Sequence, residues 1–277
     1  MCKFLELDHN ILEYIFSIYK YNLSYDHTYK YIQSYIDLDD YDYFDDMDIN
    51  RYYNTKIQFK IILNRFLLIC KKITHSLFNY LDIHHIKNFN LINIKNFTGL
   101  TKLYLTNCNS LNSTNVLHNF TSLKLLNLYG CDINDISFLT STVNLIALNL
   151  AGNYINDYKY LENLQYIQNL NLSETNFCDS DILYISNLTN IHRLYLNDNQ
   201  QITNVSYMSN LNSLEYLDLN LHNIYDYLNN IYTKYIDLKP LSKLKNLKRI
   251  YVYGRNINNK QLRKFKKNIV RNYNYKL

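Results

Sequence analysis

The side chains best suited to chemistry are the histidines, cysteines and clustered carboxylates, and their spacing suits no common reaction. Among eight histidines, His84 and His85 are adjacent. Neighbouring residues face different ways on a strand or helix, and neither has a Cys or carboxylate at zinc-site spacing. The five cysteines (2, 70, 108, 131 and 178) are odd in number and lack Cys-x-x-Cys spacing. Asp residues crowd positions 37–48, without the turn glycine and final glutamate of a calcium loop. No P-loop, Gly-x-Ser-x-Gly or His-Glu-x-x-His occurs. The expectation is a chain that is not an enzyme and takes no metal or cofactor.

What remain are groups that bind. Tyr and Arg are typical interface anchors. Arg193, Tyr195, Tyr216, Arg249, Tyr251 and Tyr253, with Asp218 among them, gather late in the chain. Whether they share a surface depends on the elements that carry them.

Those elements follow one frame, Leu-x-x-Leu-x-Leu-x-x-(Asn/Cys/Thr). Its copies begin at Leu100, Leu123, Leu145, Ile167, Ile191, Leu214 and Leu247, in steps of 23, 22, 22, 24, 23 and 33 residues. A fixed period of about 20–29 residues marks a solenoid. In Leu-x-Leu both leucines point to one side of a short strand. Parallel strands from successive repeats stack them into one core, which no repeat can bury alone. Each buried Leu or Ile contributes about 1.5–3 kcal/mol.

Residues between the leucines face the other way. The central outward column reads Tyr104, Asn127, Asn149, Asn171, Tyr195, Asp218 and Tyr251. The column before it reads Lys102, Leu125, Ala147, Asn169, Arg193, Tyr216 and Arg249. The Arg/Tyr set therefore lies at the carboxy-terminal end of one face and is the candidate partner-binding site.

The ninth position of the frame reads Cys108, Cys131, Asn153, Thr175 and Asn199. Small polar side chains there can satisfy backbone groups as the chain leaves the strand. Gly130, Gly152 and Gly254 precede that position as turn glycines. In the returning half, Ile133, Ile136 and Leu139 match Ile155, Tyr158 and Leu161, a spacing that suits 3₁₀ turns. A degenerate earlier repeat starts at Phe78, because Leu81 and Ile83 precede Leu103 and Leu105 by 22. The long last step implies an insertion near 226–235, ended by Pro240, the only proline.

This frame resembles the leucine-rich-repeat family over roughly two thirds of the chain. The resemblance implies an α/β solenoid with parallel strands on the concave face and short turns or 3₁₀ helices on the convex face. It also implies a protein partner held on the concave face.

Residues 1–77 do not fit the repeat. Asp8 can cap a helix in which Ile11, Leu12, Ile15 and Phe16 make one apolar face. With Leu7 and Ser17, this run resembles the opening of an F-box, although Asp8 and Asn10 replace its proline and glutamate. Leu67-Leu68-Ile69-Cys70-Lys71-Lys72-Ile73 resembles the second half, with Ile73 in place of an aromatic. Between them, about 19–53, lies an acidic Tyr/Asp-rich insertion. The resemblance implies a substrate-recognition subunit of an SCF-type cullin–RING ubiquitin ligase. Leu7, Ile11, Leu12, Ile15 and Phe16 would dock a Skp-type adaptor. The alternative for 1–77 is a plain helical cap over the first repeat, since solenoid ends need covering.

The expected organisation is thus 1–77 helical, 78–257 with seven or eight repeats, and 258–277 as an amphipathic capping helix. In that helix Leu262, Phe265 and Ile269 would cover the last repeat. The net charge of +5 is unevenly spread. Residues 1–50 carry eleven Asp/Glu against three Lys, and residues 239–277 carry thirteen Lys/Arg and no acid. A basic end of this kind admits nucleic-acid or membrane-surface binding as a rival to a stand-alone repeat binder. A solvated cap is the commoner fate of such a run, so nucleic acid is not the expected partner.

The excess of Asn, Ile, Tyr and Lys fits an AT-rich coding genome, such as that of a large DNA virus or a protist. Met1 is followed by an acidic stretch without an apolar core segment, and no apolar run nears the about 18 residues of a membrane span. The expected location is cytoplasmic.

Overall fold

The computed structural model describes residues 80–83, 89–220, 225–226, 231–232, 236–253, 265 and 270–271. All of them fall in one of the two units into which the chain divides, Gln58–Leu277. The F-box-like residues Leu7, Ile11, Leu12, Ile15 and Phe16, the acidic insertion, His84 and His85 lie outside the described residues, as does the 77/78 boundary.

Each Leu-x-Leu segment forms a short strand. In chain order they are β1 (Tyr80–Asp82), β2 (Lys102–Tyr104), β3 (Leu125–Asn127), β4 (Ala147–Asn149), β5 (Asn169–Asn171), β6 (Arg193–Tyr195) and β7 (Tyr216–Asn220). There follow β8 (Tyr225–Asp226), β9 (Ile231–Tyr232), β10 (Arg249–Tyr253) and β11 (Val270–Arg271). Nine of them make one sheet in the order β1-β2-β3-β4-β5-β6-β7-β10-β11, and every pairing in it is parallel. The register is the repeat itself: Leu81, Leu103, Leu126, Leu148, Leu170, Leu194, Leu217 and Ile250 are successive partners. The degenerate repeat at Leu81 and Ile83 is thereby a full member of the sheet.

The leucines pack into one continuous buried cluster from Ile83 to Val252. A further position, three before each frame, joins it: Phe97, Phe120, Leu164, Leu188, Leu211 and Leu244 are all buried. Thr142 takes that place in one repeat, and its hydroxyl donates to the Phe138 carbonyl at 3.3 Å, so its polar atom is not left bare.

The chain returns through 3₁₀ turns at Leu91–Ile94, Thr114–Asn119, Ser137–Thr140, Tyr158–Asn163, Ser206–Asn210 and Lys239–Lys243. One repeat substitutes a four-residue α-helix, α1 (Ile182–Ile185). Asx side chains start many of these turns. Asn90, Asp135, Asp157, Asn204 and Asp237 each accept from the N–H two residues on, at 2.8–3.0 Å.

The exit from each strand repeats too. Asn107, Gly130, Gly152, Glu174 and Asp198 occupy one station and all have positive φ, between 52° and 68°. Each still donates its N–H to the next repeat, for example Gly130 to the Ala151 carbonyl at 3.0 Å and Glu174 to Asn197 at 2.9 Å. The left-handed turn redirects the chain without breaking the ladder. Glycine meets that demand without a Cβ penalty at two of the five stations.

The ninth position satisfies backbone as its residue types imply. Asn199 Nδ2 donates to the carbonyls of Leu172 and Leu196 at 2.6 and 3.1 Å. Its Oδ1 accepts from the Thr175 and Phe177 N–H groups at 3.2 Å each. Cys108 Sγ donates to the Ile83 carbonyl at 3.4 Å, and Cys131 Sγ donates to the Leu105 carbonyl. Both thiols are buried.

Two features depart from expectation. The insertion contains an antiparallel pair, β8 with β9, in which Tyr225 and Tyr232 are backbone register partners. At the carboxy-terminal end, Val270–Arg271 is strand and not helix, pairing with Ile250 and Tyr251. An uncovered last strand leaves a row of N–H and C=O groups, and an extended segment with β-branched Val270 meets them where a helix cannot. Phe265 is buried, as its place in the apolar pattern implies.

Candidate functional site

Alternation along the strands puts Tyr195, Tyr216 and Tyr251 on the face opposite Leu194, Leu217 and Ile250. The structure keeps the two sets apart: the tyrosines form their own cluster, separate from the leucine core. The ring centroids of Tyr195 and Tyr216 are 5.0 Å apart, tilted by 41°, and those of Tyr216 and Tyr251 are 5.1 Å apart, tilted by 37°. Tyr216 sits one column over from its neighbours, so each contact is diagonal across the sheet, within the reach of aromatic side chains.

The rings are not open to solvent. Tyr195, Tyr216 and Tyr251 are 6, 6 and 3% exposed, and Asp218 is 4% exposed. The aromatic end of the column is thus packed on itself. Packed rings on adjacent strands remove each other's surface. Burial, with the Asp218 charge as the next cause, pushes the Tyr216 phenol well above its ordinary range. Asp218 Oδ1 accepts from the Asn220 N–H at 2.9 Å. Arg193 and Arg249 are half-buried on either side of Tyr216 in register. Tyr253 belongs to β10, and its side chain lies outside the described residues.

The other end of the column is closed as well. Tyr104 is buried, and burial raises its phenol further than the nearby Asp82 charge does. Between these ends the face is shallow and polar. Asn127, Asn149 and Asn171 are half-buried register partners, with Ala147 and Ala151 beside them. Residue-type reasoning placed these asparagines in the column but assigned the site to the aromatic end. The signal was present as an Asx-Leu-x unit recurring at Asn127, Asn149, Asn171 and Asp218.

A cleft of about 350 Å³ opens at the strand exits, lined by Glu174, Thr175, Asn176, Phe177, Asp198, Gln200 and Gln201. Its ionisable side chains are the Glu174 and Asp198 carboxylates, and its one hydroxyl, on Thr175, donates to the Leu172 carbonyl at 2.8 Å. Among the described residues no group of three or more His, Cys, Asp or Glu is placed to hold a metal ion. No helix among them is long and apolar enough to cross a membrane.

No protein-family model matches the chain, and no curated protein sequence matches it. Solved structures do. An internalin (inlF) from Listeria monocytogenes is similar with a TM-score of 0.54 and 26% identity, over 70% of this chain and 67% of that one. A leucine-rich-repeat protein from Leptospira interrogans is similar with a TM-score of 0.52 and 22% identity, over 68% of this chain. The chain spans 52% of that protein. Parallel sheet, 3₁₀ returns and these likenesses together make the described residues a leucine-rich-repeat solenoid.

Proposed function

We propose that this chain is a protein-binding solenoid that holds a partner on its concave face. The observation that carries the reading is the sheet itself. Eight register-matched repeat strands present an unbroken outward face, and the side chains on it serve no part of the leucine core. Arg193 and the asparagine column offer polar contacts, and the tyrosine stack gives that face a rigid end. A repeat array of this kind supplies area for binding and needs no catalytic residue.

We further propose that residues 1–77 form an F-box-like region with an acidic insertion at about 19–53, that 78–257 form the repeats, and that 258–277 close the last one. The bound partner is then the target of an SCF-type ubiquitin ligase in the cytoplasm. Leu7, Ile11, Leu12, Ile15 and Phe16 dock a Skp-type adaptor. Support for this step is the spacing of those five residues and the Leu67–Ile73 run. Positioning a target near a charged enzyme raises its effective concentration without new chemistry.

The test is co-purification of the full chain with a Skp adaptor, beside an Ile11→Asp/Phe16→Asp variant. A one-to-one complex lost in the variant supports the ligase reading. A folded chain that forms no complex leaves a stand-alone repeat binder and removes the ligase step.

A further inference from the structure

Asn127, Asn149 and Asn171 divide their carboxamides between two tasks. Each Oδ1 accepts from an N–H two residues on: Tyr129 at 3.0 Å, Ala151 at 2.9 Å and Ser173 at 3.0 Å. Only the oxygen can meet an N–H, so the amide orientation is fixed. The three Nδ2 groups make no hydrogen bond within the described residues and lie on half-buried side chains. Adjacent strands are about 4.8 Å apart, so the donors form a row about 10 Å long.

The surroundings have the same polarity. Asn169 is the register partner of Arg193, whose half-buried guanidinium makes no ion pair among the described residues. No outward position on β3 to β6 is acidic. Ala147 and Ala151 keep the floor low, so a chain can approach the row. Apart from the Asn169 carboxamide, which offers both, the strip presents donors. A basic side chain laid on it would set donors against donors, and an unsatisfied buried donor is costly, whereas a carboxylate brings acceptors alone.

We propose that this strip recognises an extended, Asp/Glu-rich segment of a protein partner lying across β3 to β6. Its carboxylates and backbone carbonyls accept from Nδ2 of Asn127, Asn149 and Asn171 and from Arg193. Hydrogen bonds to carboxylates are shorter and stronger than neutral ones, and complementarity of this sort sets which partner is accepted. The proposal deepens the concave-face reading and rests on it.

The protein contains its own control for the test. At Asp218 a carboxylate already fills the Asx role, accepting from the Asn220 N–H. Asn→Asp at 127, 149 and 171 therefore keeps each turn bond while turning a donor into an acceptor. A random peptide library displayed on phage is selected against the full chain. Binders are then measured on the wild type, on the N127D/N149D/N171D triple variant and on Ala147→Trp, which fills the floor without adding charge. Melting curves confirm folding, and Asn149→Asp alone replaces the triple variant if the latter does not fold.

The expected result is acidic peptides whose affinity falls by about tenfold or more in the Asp variant and is lost in Ala147→Trp. Peptides that are not acidic but are lost in Ala147→Trp overturn the acidic strip and leave the concave-face reading standing. Peptides indifferent to Ala147→Trp, or no binders at all, overturn both.

Discussion

Asn153 binds the repeat before its own through the main chain of Cys131. Its Oδ1 accepts from the Cys131 and Ile133 N–H groups at 3.0 and 2.9 Å. Its Nδ2 donates to the carbonyls of Leu128, Leu150 and Ala151 at 2.8, 2.8 and 3.2 Å. One buried carboxamide thus joins two successive strand exits. Asn153→Ala leaves two N–H groups and the Leu128 and Leu150 carbonyls short of partners, whereas the Ala151 carbonyl keeps the Gly130 N–H. Each unsatisfied buried group costs about 1–3 kcal/mol, part of which water recovers, so a loss of about 3 kcal/mol in urea unfolding is expected. A loss under about 1 kcal/mol would show that the strand exits hold without it.

Leu148 is 2% exposed at the centre of the core. Leu148→Asp places a carboxylate there with no cationic partner, a cost that exceeds the few kcal/mol by which one repeat is held. The cooperative thermal transition is expected to disappear. An unchanged melting curve would overturn the register.

The left-handed station makes two opposite predictions. Glu174 has φ +52° and Gly130 has φ +60°. Glu174→Gly removes a Cβ clash and is expected to stabilise by about 1 kcal/mol. Gly130→Ala introduces one and also crowds Asn107 Oδ1, 2.5 Å from the added Cβ. It is expected to destabilise by at least about 1 kcal/mol. Chemical denaturation of both variants reads the pair of signs directly.

Tyr216 links the concave face to pH. Burial first, then the Asp218 charge, raises its phenol above the ordinary value of 10.0. The native phenol keeps its proton where the unfolded one loses it. The stability it contributes is complete below about pH 10 and falls as pH rises beyond it, by roughly 1 kcal/mol per pH unit. Urea midpoints between pH 9 and 11 are expected to fall less steeply in Tyr216→Phe than in the wild type. Equal slopes would mean that the phenol is not held in its neutral form.

The thiols should separate by reactivity. Cys131 is held protonated by its hydrogen bond with Cys108 and by burial, whereas Cys178 is half-buried. The thiolate is the reactive form. Limited alkylation followed by peptide mapping should therefore modify Cys178 well before Cys108 or Cys131. Early modification of Cys131 would show that its repeat opens readily.

The sequence by itself determined which residues face the core and how the repeats align. Leucines spaced by two on a strand, recurring every 22 to 24 residues, admit one register, because a slip by one residue turns the whole apolar set to solvent. The ninth-position hydrogen bonds and the 3₁₀ returns were legible for the same reason: each is local, and each recurs at fixed distance from the leucines.

The tertiary structure decided what depends on neighbours in space. The outward columns showed that Tyr195, Tyr216 and Tyr251 share a face, and only ring packing between strands closed them to solvent. Basic and apolar residues after Asn258 fit a helix on period alone, yet Val270–Arg271 became strand, because the last parallel strand offers backbone partners that no local pattern records. The amide row on β3 to β5 likewise exists only once three distant asparagines are brought into register and their oxygens are taken up by their own backbone. Periodicity assigns a residue to a side of the sheet, whereas its accessibility is set by the atoms that the rest of the fold places around it.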